Sequence, residues 1–455
     1  MIQTKHLWAG ATIALAASTA FAAVSADEAK QLGTTLTAIG AEVAGNADKS
    51  IPAYTGGLTT PPASYKKGSG IRPDPYADEK PSLSIKAADL AKYDSKLTAG
   101  TKELLKRNPG TMRLDVYPTH RSMAFPKYVA DNTLKNATSV KTTDSGLGLE
   151  GNYAGIPFPI PKTGNEAMWN HILRYSGPTQ YTKFDSINVD STGKAVLATT
   201  AEIYVDYPYY DPKRTGVAAA NDVYFRTKLA YTAPARRAGE ALLLQDYMNP
   251  MTNNRKAWQY LPGQRRVKLA PDIAYDTPNP GTAGASTYDE TWVFNGAMDR
   301  YDWKLVGKRE MYVPYNSYKL SDPKLKYADM LKPGHINQDL ARYELHRVWV
   351  VDSTLKAGTS HIYARRTFYI DEDSWAILLI DKYDGRGDLW RTAEFHNENW
   401  YNVPMFFGTV EVHNDLQSGR YIAMGLRNEE KLIYEPIKRS PGDYTPNNLR
   451  GTGVR

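Results

Sequence analysis

The sequence predicts a mainly β protein: one large, strongly curved antiparallel sheet forming an incomplete barrel, with short helices covering its concave face. Three observations predict it. From about residue 180 onward, apolar residues recur at period two. Turn-forming residues separate these stretches at short spacing, among them Pro262-Gly263, Lys356-Ala357-Gly358, Asp384-Gly385 and Ser418-Gly419. The 455-residue chain also carries 32 Tyr, 9 Trp and 10 Phe. Such side chains suit pleated, half-buried surfaces and places where an apolar body meets a wet edge.

The N-terminus reads as a secretory signal. Met1–Lys5 carries one positive charge, Leu7–Ala17 is apolar, and Ala20-Phe21-Ala22 has the small-x-small form of a cleavage site. Its apolar run is too short to span a bilayer. The chain has no cysteine, which excludes disulfides, thiolate chemistry and lipidation after the signal. A signal without disulfides points to the periplasm. The formal charge of +7 is spread out, with no polybasic tail and no nucleic-acid motif. Transient contact with an anionic membrane surface is the most this charge implies.

Residues 23–130 read as an N-terminal region of helices and loops, and 131–455 as the sheet domain. Asp27–Thr37 has the spacing of a short helix. Gly45 to Pro81 is Gly-, Pro- and Ser-rich and extended. Leu90–Arg107 is helical with a break near Leu97–Gly100, and Met112–Tyr117 is strand-like. The candidate strands then follow: 195–205, 222–230, 239–247, 256–261, 265–269, 303–313, 343–351, 361–370, 376–383, 389–398, 408–414 and 421–426. Short connections without intervening helices make them an antiparallel meander. Charged positions such as those of Lys304–Glu310 argue against a lipid-facing barrel.

One stretch stands apart. Residues 155–171 read GIPFPIPKTGNEAMWNH. Pro157, Pro159 and Pro161 cannot donate ladder hydrogen bonds, so the segment is a stiff extended strap and not a central strand. It delivers a short amphipathic helix, 165–175, with Asn165 as its N-cap and Met168, Trp169, Ile172 and Tyr175 on its apolar side. Strap and helix are expected either to cover the concave face as a lid or plug or to fill the core permanently, since a Met and aromatic face at helical spacing suits both.

No nucleophile elbow, zinc-protease helix, P-loop or dinucleotide fingerprint is present, and no His pair has metal-ligand spacing. No catalytic residue, metal or cofactor is therefore expected. Asp371-Glu372-Asp373 lacks the glycine and distal Glu of a calcium loop and reads as a hairpin turn.

Four stretches carry a family resemblance: GIPFPIPKTGNEAMWNHILRY at 155–175, WQYLPGQRRVKL at 258–269, YDWKLVGKREMYVPYN at 301–316, and RTFYIDEDSW with YDGRGDLWR between 366 and 391. Together they resemble the DUF1329 family, itself similar in fold to the periplasmic lipoprotein carriers LolA and LolB. The resemblance implies a periplasmic carrier for a lipid-like or other hydrophobic ligand. It also implies an accessory role beside an RND-type exporter and an outer-membrane protein. Candidate ligand-binding residues are Phe158, Met168, Trp169, Ile172, Trp258, Tyr260, Trp292, Trp303, Trp349, Phe368 and Trp390. A buried CH₂ contributes about 0.8 kcal/mol, so a 14-carbon chain would gain roughly 11 kcal/mol. The alternatives are a non-catalytic module that docks on a transporter or outer-membrane partner, and an envelope hydrolase.

Overall fold

The computed structural model describes residues 24–271, 273, 275–430 and 440–452. The signal segment predicted from the sequence, residues 1–22, lies outside them. Thirteen strands build the main sheet: β1 Thr179–Val189, β2 Ala195–Asp206, β3 Val223–Ala233, β4 Ala241–Tyr247, β5 Lys256–Leu261, β6 Arg266–Leu269, β7 Tyr301–Pro314, β8 Tyr343–Leu355, β9 Arg365–Asp371, β10 Ile377–Tyr383, β11 Leu389–Asn399, β12 Phe406–Asp415 and β13 Arg420–Leu426. Their spatial order is β7 through β13, then β1 through β6, each pair antiparallel. The twelve strands read from the sequence are all present. β1 is an addition.

This order has one topological consequence. The chain enters mid-sheet at β1, walks to one edge at β6, and must reach the opposite edge at β7. Residues 275–300 make that crossing over one face of the sheet. Glu290 on the crossing pairs with Lys382 of β10, while its neighbour on that strand, Asp381, accepts from Ala99 and Gly100 backbone N–H at 3.0 and 2.9 Å on the other face. Adjacent strand residues point to opposite faces, so both faces of this sheet are covered.

The helix on that second face is α1, Ala99–Arg107, capped by Thr98. A small ladder, 83–85 with 114–116, joins β8 through one parallel bridge, Val116 to Tyr343. The expected helix over 27–37 is only Ala26–Ala29, because Gly33 turns left-handed at φ +78°. Helix α2, Lys127–Ser139, is not anticipated by the sequence. Its buried side is Val129, Thr133, Asn136 and Ala137, half polar, and Pro126 caps it without a side-chain bond.

Helix α2 explains how a proline-rich strap can be buried. Ile156 N–H donates to Thr133 Oγ1 at 2.9 Å, and Asn136 Nδ2 donates to Ile156 O at 3.0 Å. Helix α3, Gly164–Ile172, does the same from the other side: Asn170 accepts from Phe158 N–H at 2.8 Å and donates to Phe158 O at 2.7 Å. Tyr209 Oη donates to Gly155 O at 2.8 Å. Side chains thus satisfy the polar backbone that the prolines keep out of any ladder. The cap of α3 is Thr163, and Asn165 lies inside the first turn.

Candidate functional site

Helix α3 is packed against β7 and β8. Met168, Trp169, Asn170 and His171 are all buried. Trp169 Nε1 donates to Gly146 O at 2.9 Å. His171 Nδ1 accepts from Ile377 N–H at 3.0 Å, which leaves Nε2–H to donate to Phe294 O at 3.0 Å. Both ring nitrogens are satisfied in the neutral form. Burial, and then the nearby Arg174 charge, hold His171 well below the usual imidazole range.

That state sets a pH dependence. The unfolded chain takes up a proton at His171 below about pH 6.5, and the folded chain does not. Stability therefore rises with pH across this window and falls on acidification. Between pH 7 and 5 the expected loss from this group is on the order of 2 kcal/mol. Urea unfolding of the protein and of His171→Gln at both pH values measures it. An equal pH slope in the two proteins would remove His171 as the cause.

Two cavities lie beneath the crossing segment. The first, about 180 Å³, is walled by strands β11, β12, β13, β1, β2, β3 and β4 and roofed by residues 279–295. Seven consecutive strands around one space require a strongly curved sheet. Period two is visible along its wall: Gln180, Thr182, Phe184 and Ser186 of β1, then Thr227, Leu229 and Tyr231 of β3. Ile203, Leu242, Leu244, Phe407 and Met424 complete most of the apolar lining. The second cavity, about 160 Å³, is lined by Trp169, Ile172, Tyr224, Met251 and Met298 among others.

Arg255 borders both cavities. Its guanidinium grips Asp246 with two bonds of 2.7 Å and donates to Asn295 O at 3.0 Å. This bidentate pair forms a polar partition between two mostly apolar spaces. The roof is tied down by a second device. Glu411 of β12 accepts from the backbone N–H groups of Trp292 and Val293, each at 2.9 Å. Both residues have positive φ, +54° and +67°. Such a backbone is costly for a β-branched residue and persists because its surroundings hold it. The strained turn aims Trp292 into the first cavity, against Phe225.

The eleven sequence candidates separate clearly. Trp292 lines the first cavity, and Trp169 and Ile172 line the second. Phe158, Met168, Trp303 and Phe368 are buried in the main hydrophobic core. Trp258 and Tyr260 pack with Tyr444 and Leu449 in a small separate cluster. Trp349 stacks on Trp375, and Trp390 packs on Tyr363 and donates to Asp415. The sequence reading missed the aliphatic lining of β2, β3 and β4 and all of β1. The available signal was the alternation over 180–186, hidden because most of its inward residues are polar.

Among the described residues, no helix is long and apolar enough to cross a membrane. An uncharacterized protein of Pseudomonas aeruginosa is 47% identical to this chain over 447 residues, 97% of each. Among solved structures, a Vibrio parahaemolyticus domain provisionally assigned to outer membrane lipoprotein sorting matches with a TM-score of 0.43 and 14% identity, over 63% of this chain and 97% of its own. A LolA superfamily protein from Nitrosomonas europaea matches with a TM-score of 0.36 and 12% identity, over 63% of this chain and 98% of its own. The family model described as Protein of unknown function (DUF1329) matches residues 84–450. On that match and the Pseudomonas relative, the chain belongs to the DUF1329 family.

Proposed function

We propose that this protein is a periplasmic carrier that binds the apolar part of a lipid-like or other hydrophobic molecule in the cavity beneath residues 279–295. The cavity itself carries the reading: seven strands turn mainly apolar side chains onto about 180 Å³ of open space. A module that only docks on a partner calls for a filled interior. A few polar groups on the wall, Arg255, Glu411 and Arg427, would orient a ligand by its head. Trp292 is the sequence candidate kept in this site. Trp169 and Ile172 belong to the adjoining cavity, on the far side of Arg255.

Size limits the cargo. An apolar cavity of about 150 Å³ holds a benzene-sized molecule. The cavity therefore takes a ring or a short branched end, and the rest of a 14-carbon chain would leave it along the partly exposed edge formed by Gln180, Thr182 and Phe184. The buried bonds of Asn170 and His171 make α3 a fixed wall, and the buried ion pairs of Asp289 and Glu290 hold the crossing segment as firmly. An RND-type exporter and an outer-membrane protein are the partners proposed from the family resemblance, with the membrane surface touched only transiently.

The test is native mass spectrometry of protein purified from its own envelope without detergent, followed by solvent extraction. A stoichiometric apolar adduct is expected. It is expected to be lost in Thr182→Trp, which fills the partly exposed edge of the first cavity, and kept in Trp169→Phe. A clean apo mass, with no uptake of 1-N-phenylnaphthylamine, would sink the carrier reading. Turnover of ester substrates would instead favour a hydrolase.

A further inference from the structure

The Asp371-Glu372-Asp373 turn behaves unlike a surface hairpin. It does join β9 to β10, with Asp371 N–H donating to Ala376 O at 2.9 Å. Yet Asp371, Glu372, Asp373 and Ser374 are each 2% exposed or less. Three consecutive carboxylates are thus withdrawn from water, at a cost that only bound cations, protons or dense hydrogen bonding can offset.

The neighbouring cations are distributed unevenly. Arg121 holds both oxygens of Asp373, at 2.9 and 2.6 Å, and reaches Glu372. Lys308 and Arg347 also pair with Glu372. Arg342 pairs with Glu344 and Glu79. Among the described residues, no lysine or arginine forms an ion pair with Asp371. Its Oδ2 accepts from Ser374 Oγ at 2.6 Å and from Tyr315 Oη at 3.1 Å. Its Oδ1 is buried without a hydrogen-bond partner. An orphaned oxygen on a fully buried carboxylate needs an occupant.

An imidazole stands beside it. One ring nitrogen of His346, one oxygen of Asp371 and one of Asp373 lie within 4.8 Å of one another. The Nε2 of His346 is 3.0 Å from Glu344 Oε2. Its ring stacks on Tyr315, with centroids 3.7 Å apart. A histidine whose other nitrogen is fixed by a carboxylate is the usual arrangement around a bound metal. Here Glu344 is itself held by Arg342 and Asn316. Ser374 and Tyr315 fix Asp371 in the same way.

We propose that His346, Asp371 and Asp373 form a binding site for one first-row divalent cation, zinc foremost, which one imidazole and two carboxylates suit. The ion would give Asp371 its missing positive partner and fasten the β9–β10 turn to β8. That turn leads into Trp375, whose Nε1 donates to Ile39 O at 2.9 Å, and into Ile377, which donates to His171. The site would therefore lock the N-terminal segment and α3 onto the sheet. Burial, and then the Asp373 charge, push the Asp371 carboxyl up, so a proton is the competing occupant.

The experiment uses the mature protein, stripped with chelator and then titrated with Zn²⁺, Mn²⁺ or Ca²⁺. Elemental analysis before stripping is expected to give close to one zinc per chain. Zinc at a hundredfold excess over its Kd is expected to raise Tm by roughly 3 °C or more. Asp371→Asn removes the charge without changing the shape and is expected to fold yet lose the zinc-dependent rise. His346→Gln is the second variant, read by the visible absorption of bound Co²⁺, present in the parent and absent in the variant. No metal by elemental analysis together with no Tm rise would overturn the site and leave Asp371 protonated. A zinc response retained in both variants would assign it to an adventitious surface site and overturn the proposal equally.

Discussion

Replacing Lys382 with methionine is expected to destabilise the protein by about 3–5 kcal/mol, because it leaves a buried carboxylate without its cation. Lys382 Nζ donates to Glu290 Oε1 and lies 3.0 Å from His413 Nδ1, with both sides of the Lys382–Glu290 pair fully buried. Burial alone would raise Glu290. Lys382 and His413 outweigh it and hold that carboxyl well below its usual range. Glu290 also accepts from Tyr363 Oη and from Thr287 N–H, so one carboxylate anchors the middle of the crossing segment. The neighbouring residue repeats the device, with Arg366 at 2.8 Å and His361 at 3.0 Å from Asp289. Urea unfolding measures the loss, and hydrogen exchange over residues 287–295 locates it. Glu290→Gln in the same chain is expected to recover much of it, since the two sites share one interaction. A loss below 1 kcal/mol in the single variant would mean that the crossing is held by packing and not by its charges.

Gly40→Ala is expected to cost about 2–4 kcal/mol although it adds one methyl group to a loop. Gly40 sits at φ +95°, and a Cβ there would lie 1.8 Å from Pro159 O and 2.6 Å from Pro159 C. Both atoms belong to the strap backbone, which is clamped by Asn170 at Phe158 and cannot swing aside as a flexible side chain would. The N-terminal segment must move instead. That withdraws the Ile39 carbonyl from Trp375 and uncovers one of the largest fully buried side chains in the protein. Thermal unfolding measures the cost. Protease cleavage near residue 40 and a red-shifted tryptophan emission would identify the detachment. An unchanged Tm would show that the strap itself yields.

The strands were legible because their apolar residues alternate and their turns carry Gly, Pro, Asn and Asp. Lys256–Leu261 is read with its boundaries unchanged. β1 was not legible, since its cavity-facing Gln180, Thr182 and Ser186 are as polar as its outward Lys183 and Asp185. Helix α2 was missed for a related reason: Thr133 and Asn136 lie on its buried side in order to bond the strap. The strap was legible as a stiff, non-ladder segment, but its supports come from residues 133, 136, 170 and 209.

The sequence by itself determined the fold class, the strap and the family. These are carried by local periodicity, proline chemistry and long motifs. Only the tertiary structure decided which faces line a cavity. A one-residue change of parity turns every side chain of a strand over, and parity is set by partners elsewhere in the chain. Selecting large aromatics from the sequence therefore gathered core, half-buried and cavity residues together, and only Trp292 meets the first cavity. The same reason hid the burial of Asp371–Ser374. A turn is exposed or enclosed according to what the distant residues Arg121, Lys308 and His346 bring to it, and no spacing within the turn records them.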